Sequence, residues 1–403
     1  MLKKSLLAVA VAAALPAMAQ AQSTAVVSGY FKLNLANTSY SSAGAAPSTS
    51  GTGLMEGSSR FVISGSEDLG GGLKAIYRFD QRFRPDNNTS LGAAAGTPIG
   101  GGATWFGLEG NWGTFKVGKQ DLHYYLGADD VAGNSLPLQY WNVSLISYLG
   151  AQSIANIGRT QNTLRYESKN MNGFTGAVAY SFGPLQTQEY GAGLATPAGT
   201  TVATKGGGFQ GELAYNAGPI SAFASIWSAK NPTDSAGNAL NTWLGNPQAG
   251  ANAATAAAAA PSMLKQEAWR LGGSYNFGMA KVSLLIDDSS YTTTAGKRER
   301  TAWSLPVVVP MGAGQALFTY TKNGNQKLAG VTQTNTGASM VMLGYNYDLS
   351  KRTAVGVAAA RISNQSAANY GMFVASSATL GENPQPSAGQ NVTSVSLGMI
   401  HRF

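Results

Sequence analysis

Apolar and polar residues alternate along much of the chain after residue 24. The segments 30–35 and 60–64 and the C-terminal segment 395–403 show the pattern clearly. Successive side chains of a β-strand point to opposite faces, so this alternation predicts strands with one apolar and one polar face. The most pronounced case places three aromatic residues on one face and four charged residues on the other: Tyr77, Phe79 and Phe83 against Arg78, Asp80, Arg82 and Arg84.

About sixteen such segments follow one another, each roughly ten residues long, which is the length that a tilted strand needs to cross a bilayer. Two of them are ambiguous. In 219–230 the aromatic Phe223 and Trp227 share a face with Ser221 and Ser225, and 301–309 contains Pro306. The segments are 24–36, 58–67, 73–84, 104–111, 113–121, 161–169, 173–183, 207–216, 219–230, 266–277, 280–290, 301–309, 315–323, 337–348, 352–363 and 393–403.

The connections between these segments alternate between tight and long. The tight ones are rich in Gly, Asn, Asp and Pro, which is the chemistry of turns. We therefore predict an all-β fold: one transmembrane antiparallel β-barrel of about sixteen strands, with short periplasmic turns and long extracellular loops. The tight connections are 67–72, 111–113, 170–172, 216–219, 277–279, 310–314 and 348–351, and examples of the long loops are 184–206, 231–264 and 364–392.

The N-terminus has the three parts of a secretory signal. Lys3 and Lys4 precede an apolar run at 6–15, and small residues follow. Cleavage could follow Ala19 or Ala21, and we favour Ala21 because the next residues lead directly into a strand. We therefore predict that residues 1–21 are removed and that 22–403 form a single domain.

Composition and charge fit this prediction. The mean hydropathy of −0.07 suits a barrel, because lipid-facing and water-facing side chains cancel. The formal charge of +8 includes Lys3 and Lys4, which leaves 8 − 2 = +6 after cleavage. The sequence lacks the dense Lys/Arg stripe of a nucleic-acid binder. A positive excess inside a narrow pore would instead favour anions. The sequence has no cysteine, so no disulfide stabilises the exported chain.

Several stretches resemble the trimeric sixteen-stranded general porins of Gram-negative bacteria: 59–75, 106–120, 163–166, 172–174 and 401–403. The resemblance implies a homotrimer in the bacterial outer membrane and a terminal Phe403 that is recognised by the assembly machinery. It also implies that the third extracellular loop, at 121–160 with a helical piece near 139–149, folds into the lumen. The first strand and this loop depart from the family pattern.

Basic side chains on the lumen face of the first strands form the main candidate site, a constriction with a basic wall opposite an acidic loop. Opposed charges across a narrow aqueous gap create a transverse field, and a positive surplus lowers the barrier to anions. The alternative is that these are ordinary solvated charges with local ion pairs such as Arg78 with Asp80. The basic residues are Lys32, Arg60, Arg78 and Arg82 with Arg84 higher up, and the loop acids are Asp121, Asp129 and Asp130.

Nothing in the sequence suggests an enzyme, a cofactor or a metal site. The segment 113–119 fits the start of a phosphate-binding loop, but Gln120 stands where a magnesium-binding Ser or Thr is needed. His123 and His401 are the only histidines, and no cluster has metal-ligand spacing. The charged run 297–300 is expected in a long loop, where it could meet lipopolysaccharide phosphates or simply be solvated.

The sequence thus predicts a passive diffusion channel for ions and small hydrophilic solutes that weakly prefers anions. Its expected partners are other copies of the chain, outer-membrane lipids and lipopolysaccharide, with no nucleic acid. Two alternatives are a barrel that acts as an adhesin or surface receptor through its loops, and a secreted β-rich hydrolase.

Overall fold

The computed structural model describes residues 23–56, 59–83, 85, 102–122, 159–182, 206–231, 263–371 and 386–403. The predicted signal peptide lies outside these ranges. Within them the regular structure is β-strand, and no helix there is long and apolar enough to cross a membrane.

Nineteen strands are described, and all belong to one antiparallel sheet. Sixteen of them are long strands of the barrel wall, and β2, β15 and β16 add to the connections at one end. The strands are β1 Thr24–Tyr40, β2 Thr49–Glu56, β3 Arg60–Gly70, β4 Leu73–Arg82, β5 Thr104–Gly110, β6 Gly113–Asp121, β7 Arg159–Glu167, β8 Phe174–Ser181, β9 Gly207–Ala217, β10 Ile220–Lys230, β11 Met263–Asn276, β12 Lys281–Thr293, β13 Gly296–Met311, β14 Gly314–Asn323, β15 Lys327–Leu328, β16 Val331–Thr332, β17 Ala338–Asp348, β18 Thr353–Asn364 and β19 Val392–Arg402.

Pairing between the first and last strands closes the barrel. Residues 30–40 of β1 pair with β19, while the other edge of β1 pairs with β3 over 24–30 and with β2 over 33–40. Phe403 extends the closing ladder, since its N–H donates to the Gly29 carbonyl at 3.1 Å and its carbonyl accepts from the Gly29 N–H at 3.2 Å. Closure leaves the wall without an unpaired edge.

Tight turns join β3–β4, β5–β6, β7–β8, β9–β10, β11–β12, β13–β14 and β17–β18, so the seven predicted turns are confirmed. Hairpin pairing places all of them at one end of the barrel. The first turn shows why glycine is needed, because Gly70, Gly71 and Gly72 have φ angles of 86°, 62° and 79°. Side chains are strained in this left-handed region, and glycine is not.

At the opposite end the predicted alternation of tight and long connections is wrong in one place. Only Thr294 and Ala295 join β12 to β13, which continue as a paired ribbon. The run 297–300 is therefore strand and not loop. Its residues still alternate, with Arg300 buried and Thr301 exposed, but both faces are polar. A strand that continues beyond the lipid no longer needs an apolar face. The alternation of apolar and polar residues therefore stops before the strand itself ends.

The two faces of the wall differ as the sequence predicted. Lys32 and Asn34 are 1% exposed on the inside, whereas Phe31 and Leu35 are each 49% exposed on the outside. Exposed apolar side chains continue around the outer surface, for example Phe106, Leu213 and Leu397. A continuous apolar surface of this kind fits contact with lipid.

The ambiguous strand β10 places Phe223 and Trp227 on the inner face, where both are buried. Pro306 lies within β13, next to a gap in the pairing with β12, while pairing with β14 continues past it. Proline cannot donate a ladder hydrogen bond, which accounts for the one-sided gap.

Two apolar clusters occupy the inner face. In the first, Leu122 from the start of the third loop packs with residues of β8 and β10–β12. In the second, Ala368 and Tyr370 from the start of the last loop pack with residues of β1, β14 and β17–β19. Strands β3 to β7 contribute to neither. The first cluster is Leu122, Ala179, Trp227, Ala229, Ala268 and Tyr291; the second is Tyr40, Leu317, Ala338, Met340, Met342, Ala358, Ala360, Ile362, Ala368, Tyr370 and Val392.

Candidate functional site

Three arginines surround one carboxylate on the inner face of β3 and β4. Asp80 Oδ2 lies 3.3 Å from Arg60 Nη1 and 3.7 Å from Arg78 Nη2, and its Oδ1 lies 3.6 Å from Arg82 Nε. The register produces this arrangement, because Arg60 is directly opposite Arg82 and Val62 is opposite Asp80. Residues two apart on β4 share the inner face, so Arg78 and Arg82 flank Asp80.

Neighbouring side chains from β1 position this group. The Arg60 guanidinium lies over the Tyr30 ring, 4.8 Å from its centroid, and Nη2 donates to the Tyr30 hydroxyl. Ser59 links the adjacent Lys32, since Ser59 Oγ accepts from the Lys32 N–H at 2.9 Å and donates to the Lys32 carbonyl at 3.1 Å. The contacts with Tyr30 restrict the direction of the Arg60 side chain, and the Ser59 bonds fix the backbone at Lys32.

Gly102 covers the carboxylate. Its N–H donates to the Asp80 carbonyl at 2.8 Å, and a Cβ on this glycine would overlap the Asp80 carboxylate. The Asp80 side chain is therefore only 1% exposed, whereas Arg60 is 20% and Arg78 35% exposed. The carboxylate is hidden and Arg82 and Lys32 are nearly buried, whereas Arg60 and Arg78 meet water, so the water-facing charge of this part of the wall is positive.

We call Lys32, Arg60, Arg78 and Arg82 the basic wall. With Asp80 its formal charge is 4 − 1 = +3. Its three arginines meet around Asp80, so the predicted ion pair of Arg78 with Asp80 also exists.

The predicted acidic side is largely outside the described residues, as are Arg84, Asp129 and Asp130. Asp121 is the exposed last residue of β6 and pairs in the ladder with Arg159. An acidic face opposite the basic wall remains a prediction.

A second charged cluster lies on β6, β7 and β9, and sequence analysis missed it. Glu167 accepts from Lys116 Nζ at 2.6 Å and from Arg165 Nε at 2.7 Å, and Arg165 Nη2 reaches Glu212 at 2.9 Å. Its formal charge is 2 − 2 = 0. Lys116 and Arg165 are directly opposite in the β6–β7 register, but a single sequence does not reveal the register.

A third cluster joins β11, β12 and β13. Asp287 lies 2.8 Å from Arg270 Nη2 and 3.2 Å from Arg300 Nη2, which gives a formal charge of 2 − 1 = +1. Both arginines and the carboxylate have 1% exposure or less. A charge removed from water in this way cannot be contacted by a solute in the channel. Of the three clusters, the basic wall is the one with both a large surplus charge and exposed cations.

Comparison with known proteins identifies the family. A family model described as Gram-negative porin matches residues 7–367. The chain belongs to this porin family. It is accordingly a channel-forming barrel of the outer membrane, and its tight-turn end is periplasmic.

Individual relatives span the whole porin. Outer membrane porin protein 32 of Delftia acidovorans is 29% identical over 412 residues, covering 100% of both chains. An outer membrane porin protein of Bordetella pertussis is 26% identical and covers 87% of this chain and 92% of its own. Both alignments extend well beyond a single motif, so the similarity concerns the entire barrel.

Solved structures show the same fold. An anion-selective porin from Comamonas acidovorans superposes with a TM-score of 0.68 at 23% identity, covering 95% of this chain and 100% of its own. A trimer form of OmpT, an outer membrane protein of Vibrio cholerae, has a TM-score of 0.58 at 14% identity and covers 94% and 99%. The closed sixteen-stranded barrel is thus confirmed.

The remaining candidate chemistry of the porin has structural explanations. The segment 113–119 that resembled a phosphate-binding loop is part of antiparallel strand β6, which pairs with β5 and β7. His401 lies on β19, where Nδ1 is 2.9 Å from Thr353 Oγ1, and His123 is outside the described residues. Within the described ranges, no group of three or more His, Cys, Asp or Glu could hold a metal ion.

Proposed function

We propose that this porin carries ions and small hydrophilic solutes by passive diffusion past the basic wall, with a preference for anions and without an enzymatic step. The supporting observation is the pair of water-exposed arginines in the basic wall, Arg60 at 20% and Arg78 at 35% exposure, beside a neutral second cluster and a buried third one. Positive potential along a narrow aqueous path raises the local anion concentration and excludes cations.

The inner apolar clusters support a path displaced toward this wall. Leu122 and Tyr370 pack on inner-face residues of β8, β10–β12, β14, β17–β19 and β1, and within the described ranges no residue of β3–β7 belongs to either cluster. Charges within about 8–10 Å of a permeating ion act without full screening at physiological salt. An off-centre path therefore increases the effect of Arg60 and Arg78 on permeating ions.

We further propose that the porin is a homotrimer, as the related OmpT trimer form suggests. Four outward phenylalanines on β1, β3 and β4 and just after β4 offer a candidate contact surface, with neighbouring ring centroids 5.4–6.5 Å apart: Phe31, Phe61, Phe79 and Phe83. Removal of residues 1–21 on export, an assembly signal at Phe403, and contact with lipopolysaccharide complete the proposal.

The test is a planar-bilayer recording of the purified porin in a KCl gradient. We expect steady ohmic channels and a zero-current potential with the sign for chloride preference. A bilayer that shows no steady current would favour a plugged barrel acting as a surface receptor. Ohmic channels with cation preference would retain the channel and reject the role given to the basic wall. Recovery of the protein in the soluble periplasmic fraction would favour a secreted hydrolase.

A further inference from the structure

We propose that the two described ends of the last loop form a fixed inner wall of the channel, with Tyr370 as the positioning residue that narrows the path past the basic wall. We call residues 365–371 and 386–391 the loop anchor. The inference rests on the proposed conduction and adds a determinant of its conductance and selectivity on strands β17 to β19, which lie beside β1 of the basic wall.

Tyr370 lies deep in the interior although it follows β18 by only six residues. It has 0% exposure, and its hydroxyl accepts from Gln326 Nε2 at 3.4 Å in the connection between β14 and β17. It also interacts electrostatically with Arg300 of β13. Burial raises the pKa of Tyr370 to about 12, so the side chain is neutral at physiological pH. The ring is thus a neutral inward projection that several strands support.

The side chain of Asn364 holds the backbone of the anchor from both ends. Its Oδ1 accepts from the Tyr370 N–H at 3.0 Å, and its Nδ2 donates to the carbonyls of Tyr370 at 2.9 Å and Gln390 at 2.7 Å. One amide therefore joins the outgoing and returning halves of the loop.

Other loops fix the anchor in place. On one side, Gln390 Nε2 donates to the carbonyls of Ser41 at 2.9 Å and Pro47 at 3.0 Å in the first loop. On the other side, the Ala367 N–H donates to the Asn335 carbonyl at 2.9 Å. Connections on both flanks prevent the anchor from swinging out as a rigid unit without breaking several hydrogen bonds.

The anchor covers the least charged part of the inner wall. Inward positions of β17 and β18 carry Met340, Met342, Ala358, Ala360 and Ile362, all nearly unexposed. Without the anchor, water would reach this apolar face and the channel would be wider. With the anchor in place, the path past the neighbouring basic wall is narrower. Tyr370 thus acts on selectivity through geometry and not through charge.

Single-channel recordings of Tyr370→Ala test the proposal, with Tyr370→Phe as the matched variant that retains the ring. We expect Tyr370→Ala to raise conductance by about half or more and to shift the zero-current potential toward weaker anion preference. Tyr370→Phe should remain close to wild type. Val341→Ala, an outward change on the neighbouring β17, should alter neither quantity.

Folding is checked by the heat-dependent shift of the barrel on a denaturing gel. Should Tyr370→Ala fail to fold, Gln390→Ala provides the second test, because it removes hydrogen bonds to the first loop without removing a core side chain. We expect Gln390→Ala to show intermittent steps to higher conductance. Folded variants that match wild type in both quantities would overturn the proposal, even if the wild type conducts anions preferentially. A wild type without current would overturn the proposed function, and this inference with it.

Discussion

The guanidinium of Arg270 lies 2.8 Å from the carboxylate of Asp287, and neither side chain is exposed. Removing one partner of a buried ion pair costs about 3–5 kcal/mol, because the other charge is left uncompensated. Asp287 also pairs with Arg300, so Asp287→Asn leaves two buried cations. We expect Asp287→Asn to lower the free energy of unfolding by about 3–5 kcal/mol in denaturant titrations of the detergent-solubilised barrel.

The adjacent Asp288 provides the matched control for this prediction. It faces outward and accepts from Thr301 Oγ1 at 2.5 Å in an exposed position. Exposed polar contacts contribute less than about 1 kcal/mol, so Asp288→Asn should be nearly neutral. Equal losses from the two variants would contradict the assignment of Asp287 to a buried cluster.

Glu212→Gln should strengthen anion preference. The Glu212 carboxylate neutralises Arg165 at 2.9 Å, and its removal changes the second cluster from neutral to +1. We expect the zero-current potential in a salt gradient to move further toward the chloride limit. Glu267→Gln is the control, since Glu267 is outward, 43% exposed and paired with Lys265. A shift of the same size in both variants would contradict the prediction, because it would show that a charge on the outer face affects selectivity as much as one facing the lumen.

Gly102→Ala should weaken anion preference without changing any charge. A methyl group at this position overlaps the Asp80 carboxylate and forces the buried anion toward water. The arginines then face a path with a smaller positive surplus, which the zero-current potential reports. Gly53→Ala serves as control because nothing lies within 4 Å of its added Cβ. The prediction is wrong if Gly102→Ala and Gly53→Ala both behave as wild type.

Phe403→Ala should lower the amount of porin in the outer membrane far more than it lowers the yield of refolded porin in detergent. The Phe403 ring is 40% exposed and lies beside Gly29 and Phe31, so it buries little surface. Immunoblots of outer-membrane fractions and gel-shift refolding yields measure the two effects. Leu397→Ala, at an exposed position on the outer face of β19, should affect neither strongly. Equal loss in cells and in detergent would indicate a structural role for Phe403 and not an assembly signal.

The sequence predicted the barrel because alternation and turn chemistry are local properties. Phe79 and Asp80 are assigned to opposite faces by their spacing alone, and the Gly70–Gly72 turn requires only its own residues. The sequence did not predict the strand ends outside the lipid, because the residues there lack the apolar face that produces the alternation. Strand β2 is built from Thr, Ser and Gly with few apolar residues, so no alternating pattern marks it.

The site was predicted only in part. Arg78 and Arg82 lie two positions from Asp80, and the sequence shows this directly. The partners Arg165 and Glu212, in contrast, are 47 residues apart and meet through the β7–β9 arrangement. The inward Phe223 and Trp227 appeared anomalous because a water-filled lumen does not call for aromatic residues. Trp227 is explained by its cluster with Leu122, and the Phe223 ring occupies the space that Gly272 leaves beside Leu285.

The zero-current potential of the Arg78→Ser, Arg82→Ser double variant tests the role of the basic wall most directly. Recordings in a KCl gradient compare it with wild type and with Arg361→Ser, which removes an exposed arginine from the outer face of β18. We predict a clear shift toward cation preference in the double variant and none in Arg361→Ser. An unchanged potential in a folded, conducting double variant would contradict the assignment of selectivity to these arginines.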